Sequence, residues 1–240
     1  MFYEKGSKWH VMSTALRRTA KRFLPATVRY HAKIVQHLVL KGYLLRKVII
    51  EKYLQSTSVP KLQVGCGRGL LKGWLNSDIV GGDIFLDASK KMPFDDRTFN
   101  FIFCEHFLEH LSQSDGLRFL QECYRILKVG GVLRITTPDL EKLIEIYYDE
   151  NEFARRIDLI RLRSRKLSPC ELFNEYFGHD HKFIYDEEFI SSILSKVGFS
   201  RLTLCPCYQS GHIELTNVER HLKEGDWLRQ AESMTIEAEK

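Results

Sequence analysis

From Pro60 onwards, short apolar runs alternate with stretches in which apolar residues recur at helical spacing. Residues 99–104 (FNFIFC) form an apolar run, as expected of a strand buried on both faces. Residues 114–127 place their apolar side chains on one helical stripe, and Asp186 and Gly198 suit the two ends of a further helix. This alternation predicts a mostly parallel α/β sheet, with the last strand turning Met234, Ile236 and Ala238 inward. The predicted strands are 61–64, 74–79, 83–86, 99–104, 132–136, 199–205 and 234–239.

The first part of the chain has a different pattern. Residues 28–54 carry apolar side chains at largely helical positions with Arg and Lys between them, and Gly42 predicts an interruption of the helix. The turn-rich segment 56–60 indicates a boundary. We therefore predict a helical N-terminal arm over residues 1–57 and a second unit over 58–240. Within that unit, the mostly helical insertion at about 138–185 is expected to cover a substrate.

Charge is divided unevenly between these two parts. Residues 1–58 contain twelve Lys and Arg against Glu4 and Glu51, a net charge of +10, whereas the remaining 182 residues contain 24 basic and 29 acidic residues, a net charge of −5. A basic amphipathic arm either packs on the body or offers a surface to anionic lipid or nucleic acid. We favour packing, keep a peripheral contact of residues 1–55 with an anionic membrane as the alternative, and consider nucleic acid the less expected partner.

Composition excludes several classes of protein. The 240 residues are 44% hydrophobic and 28% charged without low-complexity runs, so the chain can bury a core and is neither disordered nor a multi-span membrane protein. The first 22 residues lack the pattern of a signal peptide. None of the six cysteines forms a CxxC motif, which predicts free, buried thiols in a reducing compartment. A cytoplasmic location, peripheral to the membrane if the arm binds lipid, is therefore expected.

Glycines are concentrated at the end of the first predicted strand, in LQVGCGRG at 62–69. Glycines at such a position let a ligand approach the backbone, whose N–H groups can bind an anion. The spacing is GxGxG instead of GxGxxG, and Asp78 follows Gly65 by only 13 residues, which disfavours a dinucleotide. Asp78 ends the second strand, where a carboxylate can accept from a ribose diol, and Asp87-Ala88 follows the third, where an adenine can be bound. The alternative for each Asp is an ordinary turn acid.

These features come in chain order with further motifs, and the set resembles class I S-adenosylmethionine-dependent methyltransferases. The most similar group is the type 11 methyltransferase-like family, in the branch marked by GWLNSD at 73–78. The resemblance is strong over about 58–140 and weaker through 181–199 and the closing TIEAEK. It implies a Rossmann-like class I methyltransferase sandwich: a mostly parallel, seven-stranded-type sheet with an antiparallel C-terminal hairpin of 199–205 and 234–239. The motifs that carry it are LQVGCGRG, Asp78, DASKKMPF at 87–94, FNFIFCEHFLEHL at 99–111 and RILKVGGVLRITTPD at 125–139.

The resemblance implies S-adenosyl-L-methionine as the cofactor. The glycines would pass beneath its methionine and ribose, Asp78 would hold the ribose hydroxyls, and Glu105 would lie beside the methionine amine. One departure from the family is that residues 70–73 leave room for barely one helical turn of about 3.6 residues, so Arg68 or Lys72 becomes a candidate partner of the methionine carboxylate. The implied cofactor-binding residues are Gly65, Cys66, Gly67, Gly69, Asp78, Asp87, Ala88 and Cys104.

Two acids and two histidines follow the fourth strand in CEHFLEHL. Helical spacing would place Glu105 with Glu109, and His106 with His110, on shared faces. A hydroxyl acceptor must lose its proton during methyl transfer, and a carboxylate or an imidazole can remove it. We therefore predict Glu105, His106 and His110 as the catalytic candidates, with packing or capping as the alternative for Glu109 and His110.

A metal is not expected. His179-Asp180-His181 offers suitable ligand types, but no further ligand at the required spacing completes a site. Because relatives in this branch often accompany polysaccharide synthesis, we predict O-methylation of a sugar, a glycoconjugate or another small-molecule hydroxyl, in glycan biosynthesis. The alternatives are a catalytically silent cofactor-binding protein and a membrane- or RNA-associated methyltransferase.

Overall fold

The chain forms a seven-stranded sheet, seen in a computed structural model that describes residues 26–149, 168–178, 180–220 and 232–240. The strand order is β3-β2-β1-β4-β5-β7-β6, in which the first five strands are parallel and β7 runs antiparallel to both β5 and β6. This is the sheet of the Rossmann-like methyltransferase fold, so the predicted fold is confirmed. The strands are β1 (Lys61–Val64), β2 (Leu75–Asp78), β3 (Ile84–Phe85), β4 (Phe99–Glu105), β5 (Leu127–Pro138), β6 (Arg201–Leu204) and β7 (Ser233–Glu239).

The register brings the carboxyl ends of the parallel strands to one edge of the sheet. Val64 of β1 pairs with Ser77 of β2 on one side and with Cys104 of β4 on the other. On the far side of β4, Thr136 of β5 pairs with Glu105. Because β7 is antiparallel, its first residues lie at this same edge, which we call the carboxyl edge. Ligands of open α/β sheets bind at such an edge.

Helices cover the sheet and form the arm. Asp186 accepts a hydrogen bond of 2.7 Å from the backbone N–H of Phe189, and Gly198 ends that helix with a φ of +120°, as predicted. The predicted interruption near Gly42 takes the form of a π-helical segment over Leu38–Leu44. No helix in the described ranges is long and apolar enough to cross a bilayer. The helices are α1 (Ala26–His37), α2 (Arg46–Gln55), α3 (Gln113–Ile126), α4 (Leu140–Tyr148), α5 (Pro169–Gly178) and α6 (Glu187–Val197), with 3₁₀ turns at Leu108–His110 and Ile213–Leu215.

Two strands differ from their predicted form. β5 begins at Leu127, before the predicted start at residue 132, and continues through the Gly130-Gly131 pair. A register shift in the pairing of β4 with β5 accommodates these residues, and an added Cβ at position 131 would lie only 3.0 Å from the carbonyl oxygen of Asn100. In β7 the expected alternation is absent, because side chains on both faces of the strand are buried, Thr235 and Glu237 included.

A buried ion cluster fixes the segment 208–220 to the sheet. The guanidinium of Arg134 in β5 is fully buried and donates to Glu237 of β7 at 2.5 Å and to Glu219 at 2.7 Å. The other carboxylate oxygen of Glu219 accepts from the backbone N–H of Tyr208 at 3.1 Å. The segment is therefore tied to the centre of the sheet at both ends.

Candidate active site

The glycine loop follows β1 and opens onto the carboxyl edge. Gly65 has a φ of +69°, and a Cβ added there would lie 2.5 Å from Cδ2 of Phe107, so no larger residue fits without displacing that ring. Gly67 has a φ of +50°, and a Cβ there would meet no atom within 4 Å. The loop is therefore packed tightly at its first glycine and accessible to a ligand at its second.

Asp78 lies beneath this loop at the end of β2. Its Oδ2 accepts from the backbone N–H of Gly67 at 2.9 Å, and its Oδ1 accepts from that of Val80 at 2.8 Å. A carboxylate offers about four lone-pair sites, so two hydrogen bonds leave acceptor capacity on a side chain that is half-exposed. Asp78 thus shapes the glycine loop and can still accept from a diol.

Asp87 and Ala88 follow β3 at the same edge. Oδ1 of Asp87 accepts from Oγ of Ser89 at 2.6 Å and from its backbone N–H at 3.1 Å, which is the turn role weighed for this residue. These bonds use one carboxylate oxygen. Ala88 is buried beside it, and the π-helical segment of the arm packs on Phe85 of the same strand.

The two cysteines of the predicted site are buried thiols. Burial, reinforced by Asp78, raises the pKa of Cys66 to about 12. Burial, reinforced by Glu109 and then Glu105, also raises the pKa of Cys104. The Cys104 side chain packs in the core and does not contribute a thiolate. Neither thiol is suited to act as a nucleophile at neutral pH.

Glu105 ends β4 and is buried. Its Oε2 accepts a hydrogen bond of 2.8 Å from the backbone N–H of Arg220. Arg220 also covers the glycine loop, since a Cβ added at Gly69 would lie 3.0 Å from Cβ of Arg220. The predicted pairing of Glu105 with Glu109 on a helical face is wrong, because the strand continues through Glu105 and a helical turn begins only at Leu108.

His106 occupies the sharp turn after β4, with a φ of +45°. Its Nδ1 lies 3.2 Å from Oε1 of Glu109, and its Nε2 lies 3.2 Å from Oγ of Ser233, the first residue of β7. The backbone N–H of His106 donates to the carbonyl oxygen of Thr136 at 2.8 Å. The ring is therefore held on both nitrogens at the carboxyl edge, and its i,i+3 partner Glu109 replaces the expected i,i+4 partner His110.

Glu109 is fully buried behind His106. Its Oε2 accepts from Oγ1 of Thr137 at 3.1 Å, and its backbone carbonyl accepts from the N–H of Lys182 at 2.7 Å. These contacts anchor the carboxylate from the β5 side and from the segment that precedes α6. Glu109 is thus a rigid hydrogen-bond partner for the imidazole.

The two groups shift each other's pKa in opposite directions. Burial lowers the pKa of His106, but the hydrogen bond and charge of Glu109, helped by Glu105 and Glu232, outweigh it, so the pKa lies above its usual value. Burial raises the pKa of Glu109, but the hydrogen bond and charge of His106 outweigh it and leave that pKa lowered. Glu109 therefore stays ionised and makes His106 a stronger proton acceptor.

His110 lies apart from His106. Its Nδ1 is 3.3 Å from the carbonyl oxygen of Asp180, and its ring centroid is 4.8 Å from that of His181. Ligand atoms of Glu109, His110 and His181 all lie within 4.8 Å of one another, and both oxygens of Glu109 also contact other side chains. The absence of a metal stays an expectation. His179 lies outside the described residues.

Sequence reasoning missed three contributors to this site. Ser233 and Arg220 reach it from more than a hundred residues further along the chain, through contacts with His106 and Glu105. Glu232 lies next to Ser233 and adds negative charge near the imidazole. No local sequence pattern marks these three residues. The contact of His106 with Glu109, in contrast, could have been predicted from the i,i+3 spacing of the two residues in CEHFLEHL.

The strand order is that of the class I methyltransferase fold. The family described as Methyltransferase domain, of type 11, matches residues 84–135, from β3 into β5. No curated protein matches the sequence. The GWLNSD branch stays a prediction.

Solved structures show the same general similarity. A SAM-dependent methyltransferase from Archaeoglobus fulgidus is 19% identical over 85% of this chain and 94% of its own, with a TM-score of 0.47. Phosphoethanolamine N-methyltransferase 2 of Haemonchus contortus, in complex with phosphomonomethylethanolamine and S-adenosylhomocysteine, is 15% identical over 83% of this chain and 54% of its own, with a TM-score of 0.46. At such scores neither similarity assigns an acceptor.

Proposed function

We propose that this protein is an S-adenosylmethionine-dependent methyltransferase that methylates a hydroxyl group, with His106 as the general base. The observation that most directly supports this proposal is the position of the His106 imidazole. It is held between Glu109 and Ser233 at the edge onto which the glycine loop opens. The methyltransferase domain match over 84–135 supports the reaction class and the cofactor. A sugar or glycoconjugate acceptor, in glycan biosynthesis in the cytoplasm, is proposed from the resemblance of the sequence motifs.

The residues at the glycine loop fit the cofactor. Open space at Gly67 lets a ligand reach the backbone, Asp78 retains acceptor capacity for ribose hydroxyls, and Asp87 retains a carboxylate oxygen for the adenine amine. Only turns connect β1 to β2, so exposed Arg68 is our candidate for the methionine carboxylate. When bound, S-adenosylmethionine supplies an electrophilic methyl group on a sulfonium.

His106 and Glu109 handle the proton. Neutral His106 donates its Nδ1–H to Glu109, so Nε2 carries the lone pair that contacts the Ser233 hydroxyl and that takes up the proton of the acceptor hydroxyl. The proton reaches Nε2 directly or through the hydroxyl of Ser233, which lies 3.2 Å away. Glu109 stabilises the resulting imidazolium, because the carboxylate is buried and ionised.

A catalytically silent cofactor-binding protein is the second candidate. One observation favours it: the His106 side chain is only 14% exposed, and both ring nitrogens already have protein partners. In that case the imidazole would serve only to fasten β4 to β7. Cofactor binding without turnover on any hydroxyl acceptor would support this candidate.

The cofactor proposal is tested by calorimetry with S-adenosylmethionine and S-adenosylhomocysteine. Asp78→Ala removes charge-assisted hydrogen bonds worth about 1.5–3 kcal/mol, so the affinity should fall about tenfold to a hundredfold. Asp78→Asn keeps an oxygen that can accept from the Gly67 N–H, so it preserves the glycine loop while removing the charge. Comparing the two variants separates a change in loop structure from the loss of ribose recognition. The control is Asp95→Ala, an exposed acid shortly before β4 at the opposite edge of the sheet. The proposal fails if the wild-type protein does not bind or if both Asp78 variants bind as tightly as it does.

A further inference from the structure

The arm is fastened to the body along one side. The rings of His37 and Phe85 lie 6.1 Å apart, and a Cβ added at Gly42 would lie 3.4 Å from Cβ of Phe85. In α2, the hydroxyl of Tyr53 donates to the carbonyl oxygen of Lys61 at 2.8 Å, and Ile49, Ile50 and Leu54 pack on the core. Part of the described segment 26–55 therefore packs on the body.

The described part of the arm also exposes many apolar side chains. Seventeen large hydrophobic residues are exposed in the described part of the chain, and eight of them fall between positions 28 and 48, so this segment concentrates them. Val35 is 57% exposed, Leu44 65% and Val48 60%. A concentration of this kind marks an interaction surface. We call it the arm surface, formed by Val28, Tyr30, Val35, Val39, Leu40, Leu44, Leu45 and Val48.

Positive charge accompanies the arm surface. Residues 26–55 contain six Lys and Arg against the single acid Glu51. Lys33, Lys47 and Lys52 are exposed, and Lys47 carries an 89% exposed side chain 3.9 Å from Glu51. Aliphatic side chains interspersed with Lys and Arg are the composition of an interfacial helix, which inserts its apolar residues among lipids while its cations attract anionic headgroups.

We propose that the arm surface binds the protein peripherally to anionic lipid membranes. Three features favour lipid over other partners. Tyr30 is the one aromatic among the eight residues of the surface, whereas binding of a nucleic acid strand relies on aromatic stacking with basic groups. A second copy of the chain would bring two positively charged surfaces together, which repel each other. Of these three partners, only an anionic lipid membrane interacts favourably with both the exposed aliphatic side chains and the net positive charge.

Vesicle flotation of the full chain tests this proposal, using phosphatidylcholine vesicles with and without phosphatidylserine. The protein should bind only the vesicles that contain phosphatidylserine, and salt should weaken the binding. Each lysine near an anionic surface contributes about 1 kcal/mol, or about fivefold in affinity, so Lys33→Glu/Lys47→Glu should lower binding by more than twentyfold. Val35→Ser/Val48→Ser should also lower it about tenfold or more, although it leaves every charge in place.

Matched controls lie away from the arm. Lys196→Glu reverses an exposed charge in α6, and Val129→Ser removes an apolar residue that is 75% exposed in β5; both should bind like the wild-type protein. Unchanged thermal unfolding of the arm variants shows that they are folded. The proposal is overturned by absent vesicle binding, by binding that only the charge variant weakens, or by binding to RNA that outcompetes the vesicles. Because none of these residues lies in the active site, cofactor binding should be unaffected, and the two proposals can fail separately.

Discussion

The carboxylate of Glu105 accepts a hydrogen bond of 2.8 Å from the backbone N–H of Arg220, a residue 115 positions further along the chain. This bond joins the end of β4 to the segment that covers the glycine loop. Glu105 therefore has a structural partner at the position where the family resemblance implies contact with the methionine amine. Glu109 raises the pKa of His106 above its usual value, whereas Glu105 has this structural role, so we take His106 as the general base.

His106→Ala should lower turnover by about 10²–10⁴-fold, because the acceptor hydroxyl loses the group that removes its proton. Cofactor affinity should remain at the wild-type value, since the imidazole lies at the β4–β7 side of the edge, away from Asp78 and Asp87. Single-turnover methyl transfer on a panel of glycan hydroxyls, together with calorimetry, measures the two effects. Full activity in this variant would remove His106 from the mechanism.

Glu109→Gln provides the companion measurement, because in the proposed reaction Glu109 acts on the proton transfer through His106. The base must be unprotonated, so activity is present above the pKa of His106 and is lost as the pH falls through it. The acid limb of the pH–rate profile is the range in which activity falls as His106 becomes protonated. In the wild-type protein its midpoint should lie above the usual histidine pKa of about 6.5, since Glu109 raises the pKa of His106. Loss of the Glu109 charge should move the limb to lower pH and reduce the plateau rate. An unmoved acid limb would show that His106 is not the titrating base.

Gly65→Ala should destabilise the protein more than Gly67→Ala. Both positions have positive φ, which costs a residue with a Cβ about 1–2 kcal/mol, but only at Gly65 would the Cβ collide with the Phe107 ring. Gly67→Ala should mainly weaken cofactor binding, because its Cβ would fill the open space. Gly73→Ala is the matched control, with a φ of +79° and nothing within 4 Å.

Urea unfolding measures the stability of these variants, and calorimetry measures their cofactor affinity. If the Phe107 clash is the cause, Gly65→Ala should lose less stability in a Phe107→Ala background, as a double-mutant cycle would show. Equal losses at Gly65 and Gly73 would contradict the packing account. Equal cofactor affinity of the Gly67 and Gly73 variants would place the cofactor elsewhere.

Arg134→Ala should lower the free energy of unfolding by about 3–5 kcal/mol, because it leaves the buried carboxylates of Glu219 and Glu237 without their counter-charge. The control is Arg201→Ala, which breaks the exposed pair with Glu239 and should cost about 1 kcal/mol or less. Denaturant unfolding compares the two. If both variants lose the same small amount, the buried cluster does not anchor the 208–220 segment as its geometry indicates.

The sequence predicted the sheet well because its strands are short apolar runs with clear boundaries. Asp186 and Gly198 marked the ends of a helix through local capping chemistry, which depends on neighbouring residues alone. The alternation expected in β7 failed for a tertiary reason: residues on both faces of the strand are buried in the folded protein. Glu237 is buried there because Arg134, far away in sequence, neutralises it.

The candidate site was less predictable than the fold. The helical spacing applied to CEHFLEHL assumed a helix directly after β4, whereas His106 adopts a positive φ and redirects the chain. Because of that turn, His106 contacts Glu109 and does not share a helical face with His110. Ser233 could not have been anticipated, because its contact with His106 depends on the pairing of β7 with β5.

The position of β7 has a consequence for the order in which the molecule is assembled. β7 follows β6 in the sequence, yet it sits between β5 and β6, so β6 can join the sheet only after residues 233–239 have been synthesised and inserted. Contacts this distant in sequence form slowly, and until they form, the β5 edge is open to pairing with other chains. The same insertion delivers Ser233 to His106 and Glu237 to Arg134. A nascent or partly folded chain therefore holds an incomplete imidazole site, and methyl-transfer competence and closure of the sheet should arrive together.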